Sequence, residues 1–166
     1  PVAAVEYLAN GIDAGGFRPI GLGQVNGRYF CFHTGVGFDA AVVERVEQRG
    51  SLKRWLGHPL FIWAGITTWL TGYDRSTPHF QVSGDGATGP IDGYFTIVLN
   101  TSPYTYLGNR PLDLSPAATL DRGLVAITFT TMSSVAILSS LAGALRGGGV
   151  KPAAHLDVRE DVSHLV

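Results

Sequence analysis

Two stretches of the sequence hold residue types that can do chemistry together. The first is Gly35-Val36-Gly37-Phe38-Asp39, where two glycines let the backbone bend tightly or approach another group and an aspartate follows at once. A carboxylate held at such a bend accepts hydrogen bonds from a hydroxyl or an amine, which makes it a place for a polar ligand. The same Asp39 can instead serve as an N-cap, taking the orphan amides of the helical pattern that starts at Ala40. The second stretch runs from Asn100 to Gly123 and contains two carboxylates, Asp113 and Asp121, with Arg110 and Arg122. These groups can orient a hydroxyl, a metal ion or a phosphate, and a long connection without regular structure is usually functional. Equally, Asp121-Arg122-Gly123 reads as a plain turn before a strand.

Other candidates are weaker. Gly35-x-Gly37 lacks the third glycine of a dinucleotide fingerprint, and strand, helix, helix is not a βαβ order. Ser83-Gly84-Asp85-Gly86 has the look of a phosphate loop, but a second strand follows it where a phosphate cradle needs a helix N-terminus, so it reads as a hairpin loop. His33 lies in a strand pattern with no partner placed by the sequence and reads as a structural residue. Cys31, the single cysteine, reads as a buried small hydrophobe and leaves no disulfide framework or Cys/His metal spacing.

The elements that must position these groups follow from hydrophobic period. Val2, Val5, Leu8 and Ile12 predict a helix to about Ala14 that packs on the sheet or joins a missing part. Phe17 to Val25 and Arg28 to Thr34 predict a hairpin across Asn26-Gly27, the pair favoured in a type I′ turn. An amphipathic helix is expected from Phe38 to Arg49, a basic helical turn from Ser51 to Leu56, and from His58 to Tyr73 a helix apolar on almost every side, with Trp63 and Trp69. Strands are expected at His79 to Ser83, Tyr94 to Thr101, Leu124 to Thr131 and from Leu156. A helix begun by Ser133, with the stripe Ser134, Ile137, Leu138, Leu141 and Leu145, closes at Gly147-Gly148-Gly149. About six strands and four or five helices without regular βαβ alternation predict an α+β class, a mainly antiparallel β-sandwich with several packed helices.

The 166 residues suit one domain, and 12 basic against 13 acidic residues give a net charge of −1, without the basic face of a nucleic-acid binder. The longest apolar run, Pro59 to Leu70, is shorter than the roughly 20 residues of a spanning helix. A start at Pro1 and an end inside a strand pattern suggest a piece of a longer polypeptide.

Taken in order, Asn26-Gly-Arg-Tyr-Phe, Gly35-Val-Gly-Phe-Asp-Ala, the basic turn and apolar helix, then Asn100, Gly108, Pro116 and Asp121-Arg-Gly-Leu resemble the C-terminal domain of the bacterial diacylglycerol kinase and sphingosine kinase family, above all its actinobacterial members. Each motif is loose, whereas their order and spacing over nearly the whole chain are specific. The resemblance implies that residues 1–166 are the lipid-binding domain of a two-domain lipid kinase. The absent N-terminal domain would hold ATP on a Gly-Gly-Asp-Gly-Thr type loop, and Mg2+ with it. It also implies that Asp39, with Gly35 and Gly37, meets the polar head of the lipid and that the helix carrying Trp63 lines the acyl channel. Arg122 stands where the family has an acidic residue, and Asp121, one position earlier, is the candidate to take the catalytic role. The implied partners are a lipid substrate, the chain's own N-terminal domain, the inner face of the plasma membrane as a peripheral contact of a cytoplasmic enzyme, and a second copy in a homodimer. Competing readings are a non-catalytic lipid-binding module and an NAD kinase-like enzyme on a soluble substrate; the apolar helix argues against the latter.

Overall fold

The structure, a computed structural model, describes residues 2–38, 74–85 and 89–166. The helix expected at 38–49 lies outside the described residues but for Phe38, and those expected at 51–56 and 58–73 lie wholly outside them, as do Asp39 and Trp63. Among the described residues the chain forms helix α1 (Val2–Asp13), strands β1 (Gly23–Val25), β2 (Arg28–Phe30), β3 (His33–Gly37), β4 (Phe80–Val82), β5 (Ile91–Gly93), β6 (Phe95–Leu99), β7 (Thr105–Leu107), β8 (Arg110–Leu112) and β9 (Leu124–Phe129), helix α2 (Ser134–Leu145) and strand β10 (Leu156–Val162). The class is α+β with antiparallel pairing throughout, as expected, but the strands are shorter and more numerous than the sequence period suggests.

The centre is a four-stranded sheet in the order β10-β9-β6-β3. Phe95, Ile97 and Leu99 lie opposite Phe129, Ile127 and Val125, so the expected apolar face forms as one block. Leu99, Val125 and Ile127 are completely buried, each contributing about 1.5–3 kcal/mol of transfer free energy. Leu112, Leu114, Ala118, Met132, Ala144 and Val150 close over this block.

The opposite face is buried too, which strict alternation does not anticipate. There Thr96 lies opposite Thr128, and Val98 opposite Ala126. The two threonine hydroxyls satisfy each other at 2.9 Å. Further along, Arg159 sits opposite Ala126, whose small side chain leaves room for a guanidinium. Arg159 Nε donates to Asp157 Oδ2 at 2.6 Å and Nη2 to the Val82 carbonyl at 3.4 Å, tying the β4-β5 hairpin onto this face. The result is a small sandwich.

The hairpin at Asn26-Gly27 forms with both residues at positive φ, 48° and 75°. The predicted strand from Arg28 to Thr34 does not run through. It breaks at Cys31-Phe32, β2 pairing with β1 while β3 moves to β6. Because the chain bends there, Cys31 is exposed rather than buried, and Phe32 is exposed as well. Residues 17–22 are irregular, and α1 buries none of its side chains, so its stripe does not pack on the sheet. Helix α2 keeps part of its expected stripe, Ile137 and Leu145 packing against the core, but is turned from the rest of it. Its innermost residues are the small Ser140 and Ala144, which allow close approach, whereas Leu138 is 64% exposed. Ser133 occupies the N-cap without a side-chain capping bond.

Candidate functional site

Strand β3 is an outer strand of the central sheet, and His33, Gly35 and Gly37 lie opposite Leu99, Ile97 and Phe95. Its inner face therefore carries no side chain at two successive positions on the apolar side. Gly37 has φ 80°, a conformation that L side chains rarely adopt, and turns the chain so that Phe38 lies against Phe95, ring centroids 5.9 Å apart. Gly35 has no such torsion. His33 is half-buried, its ring 4.5 Å from that of Tyr104, in keeping with a structural role.

The stretch from Asn100 to Gly123 is not structureless. It contains the β7-β8 hairpin, turned by Gly108 at φ 61°, and is anchored by the buried Leu112, Leu114, Ser115 and Ala118. Asp113 accepts the Ser102 hydroxyl at 2.6 Å and is thus engaged internally. Arg110 is exposed at the hairpin.

Asn100, in sequence the start of the long connection and one of the residues that carry the family resemblance, organises this region. It is 2% exposed, and its amide nitrogen donates to the carbonyls of Gly21 and Cys31, both at 2.9 Å. Its backbone N–H donates to the Phe32 carbonyl at 2.7 Å, which explains the break between β2 and β3. Gly21 N–H in turn donates to the Leu120 carbonyl at 2.9 Å. The 18–22 segment is thereby brought beside residues 120–122, and Arg18 Nη2 comes 3.4 Å from Asp121 Oδ1. An amide directly after Phe95–Leu99, a run apolar but for Thr96, was the available signal, since an Asn there must spend its donors on backbone.

Asp121 is 63% exposed and its partner Arg18 66%, so the pair is a solvated one worth about 0.2–1 kcal/mol. Its carboxylate is reachable from outside and retains acceptor capacity. Arg122 donates its backbone N–H to the Thr119 carbonyl, and Gly123 donates to the Asp161 carboxylate at 2.7 Å. A Cβ at Gly123 would come within 2.7 Å of backbone at Asp161, so this corner requires glycine. Asp161 itself has φ 56° at the bulge of β10.

The phosphate-loop lookalike is a structural corner, as its position between β4 and β5 implies. Asp85 accepts hydrogen bonds from the Ser163 hydroxyl and the backbone N–H groups of Ser163 and His164, and Ser83 and Val166 exchange backbone bonds. These bonds, led by the Ser163 hydroxyl, hold the Asp85 carboxyl below its ordinary range. A carboxylate committed to the chain's own tail does not fit a nucleotide phosphate. Among the described residues no cluster of three or more His, Cys, Asp or Glu could hold a metal ion.

This architecture matches solved structures. Two of them, each of a "putative diacylglycerol kinase" from Bacillus anthracis str. Sterne, superpose with TM-scores of 0.51 and 0.50 at 18% and 16% identity, each match covering 90% of this chain and 49% of the other. The fold is diacylglycerol kinase-like. The chain spans about half the length of the structures it matches. No family model and no curated protein matches the sequence. At such identities the diacylglycerol kinase-like fold is what the likeness establishes, and residue roles rest on chemistry. The structure brings Gly35 and Gly37 onto one edge of the apolar face and leaves Asp121 solvent-facing, paired with Arg18.

Proposed function

We propose that this chain is the C-terminal, lipid-substrate half of an actinobacterial-type, ATP-dependent lipid kinase that phosphorylates a hydroxyl of a diacylglycerol- or sphingosine-like lipid. The observation that carries this reading is the fold match over 90% of the chain. The bare inner face of β3, where Gly35 and Gly37 leave the apolar block uncovered by their own side chains, supports a place for an acyl chain. The Gly37 bend delivers the chain directly to Asp39, whose carboxylate would hold the lipid's polar head. Trp63 would line the channel. Asp121 would take the proton from the lipid hydroxyl.

The described residues do not fit ATP or Mg2+, so both are assigned to the other half of the polypeptide. Among the described residues no helix is long and apolar enough to cross a membrane, which is compatible with a cytoplasmic enzyme working from the inner membrane face.

The experiment is ATP-dependent phosphorylation of diacylglycerol and sphingosine by the longer polypeptide and by residues 1–166 alone. The longer protein is expected to be active and the fragment inactive, because phosphoryl transfer is mostly positioning of nucleotide and metal. Activity of the fragment refutes the division of labour. A longer protein that binds lipid but phosphorylates none would make this a non-catalytic lipid-binding module.

A further inference from the structure

Between Arg122 and Asp157 the sequence contains no Asp or Glu. Helix α2 lies in that stretch and has no charged residue at all. Its outward row is apolar: Val135 is 78% exposed and Leu138 64%, followed by Ala142 at helical spacing and then by Arg146 at the C-cap. Beside this row, on the flank of Ser139 and Gly143, is a cavity of about 430 Å³ whose other lining groups include Arg146, Lys151 and His155. Ser140 Oγ donates to the Ala136 carbonyl, so at 3.2 Å it accepts from His155 Nε2 and fixes the imidazole on the cavity wall. The nearest acidic neighbour by bonding, Asp113, meets Ala144 through its backbone N–H and turns its carboxylate to Ser102.

An exposed apolar row next to a cationic hollow with no carboxylate among its described lining residues has the two chemistries of a bilayer interface, acyl region and anionic headgroup. We propose that this face of α2 docks on an anionic phospholipid surface, with Val135 and Leu138 entering the interface and a headgroup phosphate seated between Arg146 and Lys151. A second copy of the chain is the poorer anion, since three carboxylates of its acidic group Asp85, Asp157, Glu160 and Asp161 are already held by Ser163, Arg159 and Gly123. The docking gives the proposed lipid kinase its orientation at the membrane, and rests on that reading only for its purpose.

The test is co-sedimentation of the 166-residue chain, without ATP, on phosphatidylcholine vesicles with and without 30 mol% phosphatidylglycerol. Binding is expected only with the anionic lipid and is expected to weaken with added salt. The double variant Arg146→Ala/Lys151→Ala should bind about thirtyfold more weakly, as two juxtamembrane cations imply. Val135→Ser/Leu138→Ser should also lose binding while retaining the wild-type circular dichroism, since both residues are exposed. Equal binding to neutral vesicles, or unchanged binding by both double variants, overturns the proposal. So does binding of inorganic phosphate at the hollow without vesicle binding, or a solution dimer that Leu138→Ser dissociates. Because no ATP is present, loss of vesicle binding and loss of kinase activity are separate results.

Discussion

Replacing Asn100 tests the account of how the candidate site is assembled. In Asn100→Ala the carbonyls of Gly21 and Cys31 both lose a 2.9 Å donor, and a methyl group replaces a side chain that is 2% exposed. A dry orphaned acceptor costs about 1–3 kcal/mol, but Gly21 and Cys31 are themselves exposed, so water can reach both carbonyls and the lower end applies to each. The expected loss is about 2–3 kcal/mol, a large share of the roughly 5–15 kcal/mol by which a domain is stable. For a chain of this length that lowers Tm by about 4–12 °C. Asn100→Asp is the sharper variant, because it keeps the size but sets a carboxylate against two carbonyl oxygens, and it should cost more than alanine. Urea unfolding reads both as a shift in midpoint at constant m. A loss below about 0.5 kcal/mol for alanine, or an aspartate variant as stable as wild type, would refute the role given to this amide.

Four further outcomes can be measured. On the proposed function, Asp121→Asn in the longer polypeptide should lower kcat by about a hundredfold to ten-thousandfold with little change in lipid KM, while Asp39→Ala should raise lipid KM far more than that for ATP; steady-state kinetics separates them. Thr128→Val should cost about 1–3 kcal/mol by orphaning the Thr96 hydroxyl, whereas Thr96→Val/Thr128→Val should cost less than the sum of the single variants in a denaturant double-mutant cycle. Gly123→Ala pushes a methyl into backbone at Asp161 and should destabilise by about 1–3 kcal/mol, seen as a lower Tm. The Asp85 carboxyl is held below its ordinary value of 3.8, so its contribution is present above that pH and lost as pH falls through the lowered value. Amide exchange at Ser163 and His164 should accelerate in that acid window, and Asp85→Asn should show fast exchange already at neutral pH.

Much of the fold was legible because local rules and tertiary packing agree there. Asn26-Gly27 needs positive φ at both positions and has it, and the odd-numbered apolar residues of β6 and β9 form one face. The sequence misled where a distant partner overrides the local period. Cys31 and Phe32 continue an alternating run, but Asn100, far along the chain, pulls their carbonyls and ends the strand. In α2, Ile137 and Leu145 of the expected stripe reach the core, yet close approach to β8 and the residue after it favours the small Ser140 and Ala144 inside and leaves Leu138 out. The β7-β8 hairpin was missed because strands of three residues are too short to show a period. Of the candidate site, the type of each group was readable, but the Arg18–Asp121 pairing was not, since no spacing rule joins residues so distant in sequence.

The order β10-β9-β6-β3 also bears on how the chain reaches its native state. β9 and β10 are joined through α2 alone, and β6 reaches β9 through the 100–123 segment, so these pairings close comparatively short loops. β3 meets β6 only across the whole intervening stretch from Phe38 to Tyr94, a costlier closure that should come last and be slow to form. During synthesis β3 nevertheless emerges first and waits with its backbone groups unpaired, open to pairing with another chain. Glycines at alternate positions weaken it as a free strand. Gly35 and Gly37 would therefore also protect the nascent protein, and larger residues there should favour aggregation during expression before any effect on the folded molecule is measured.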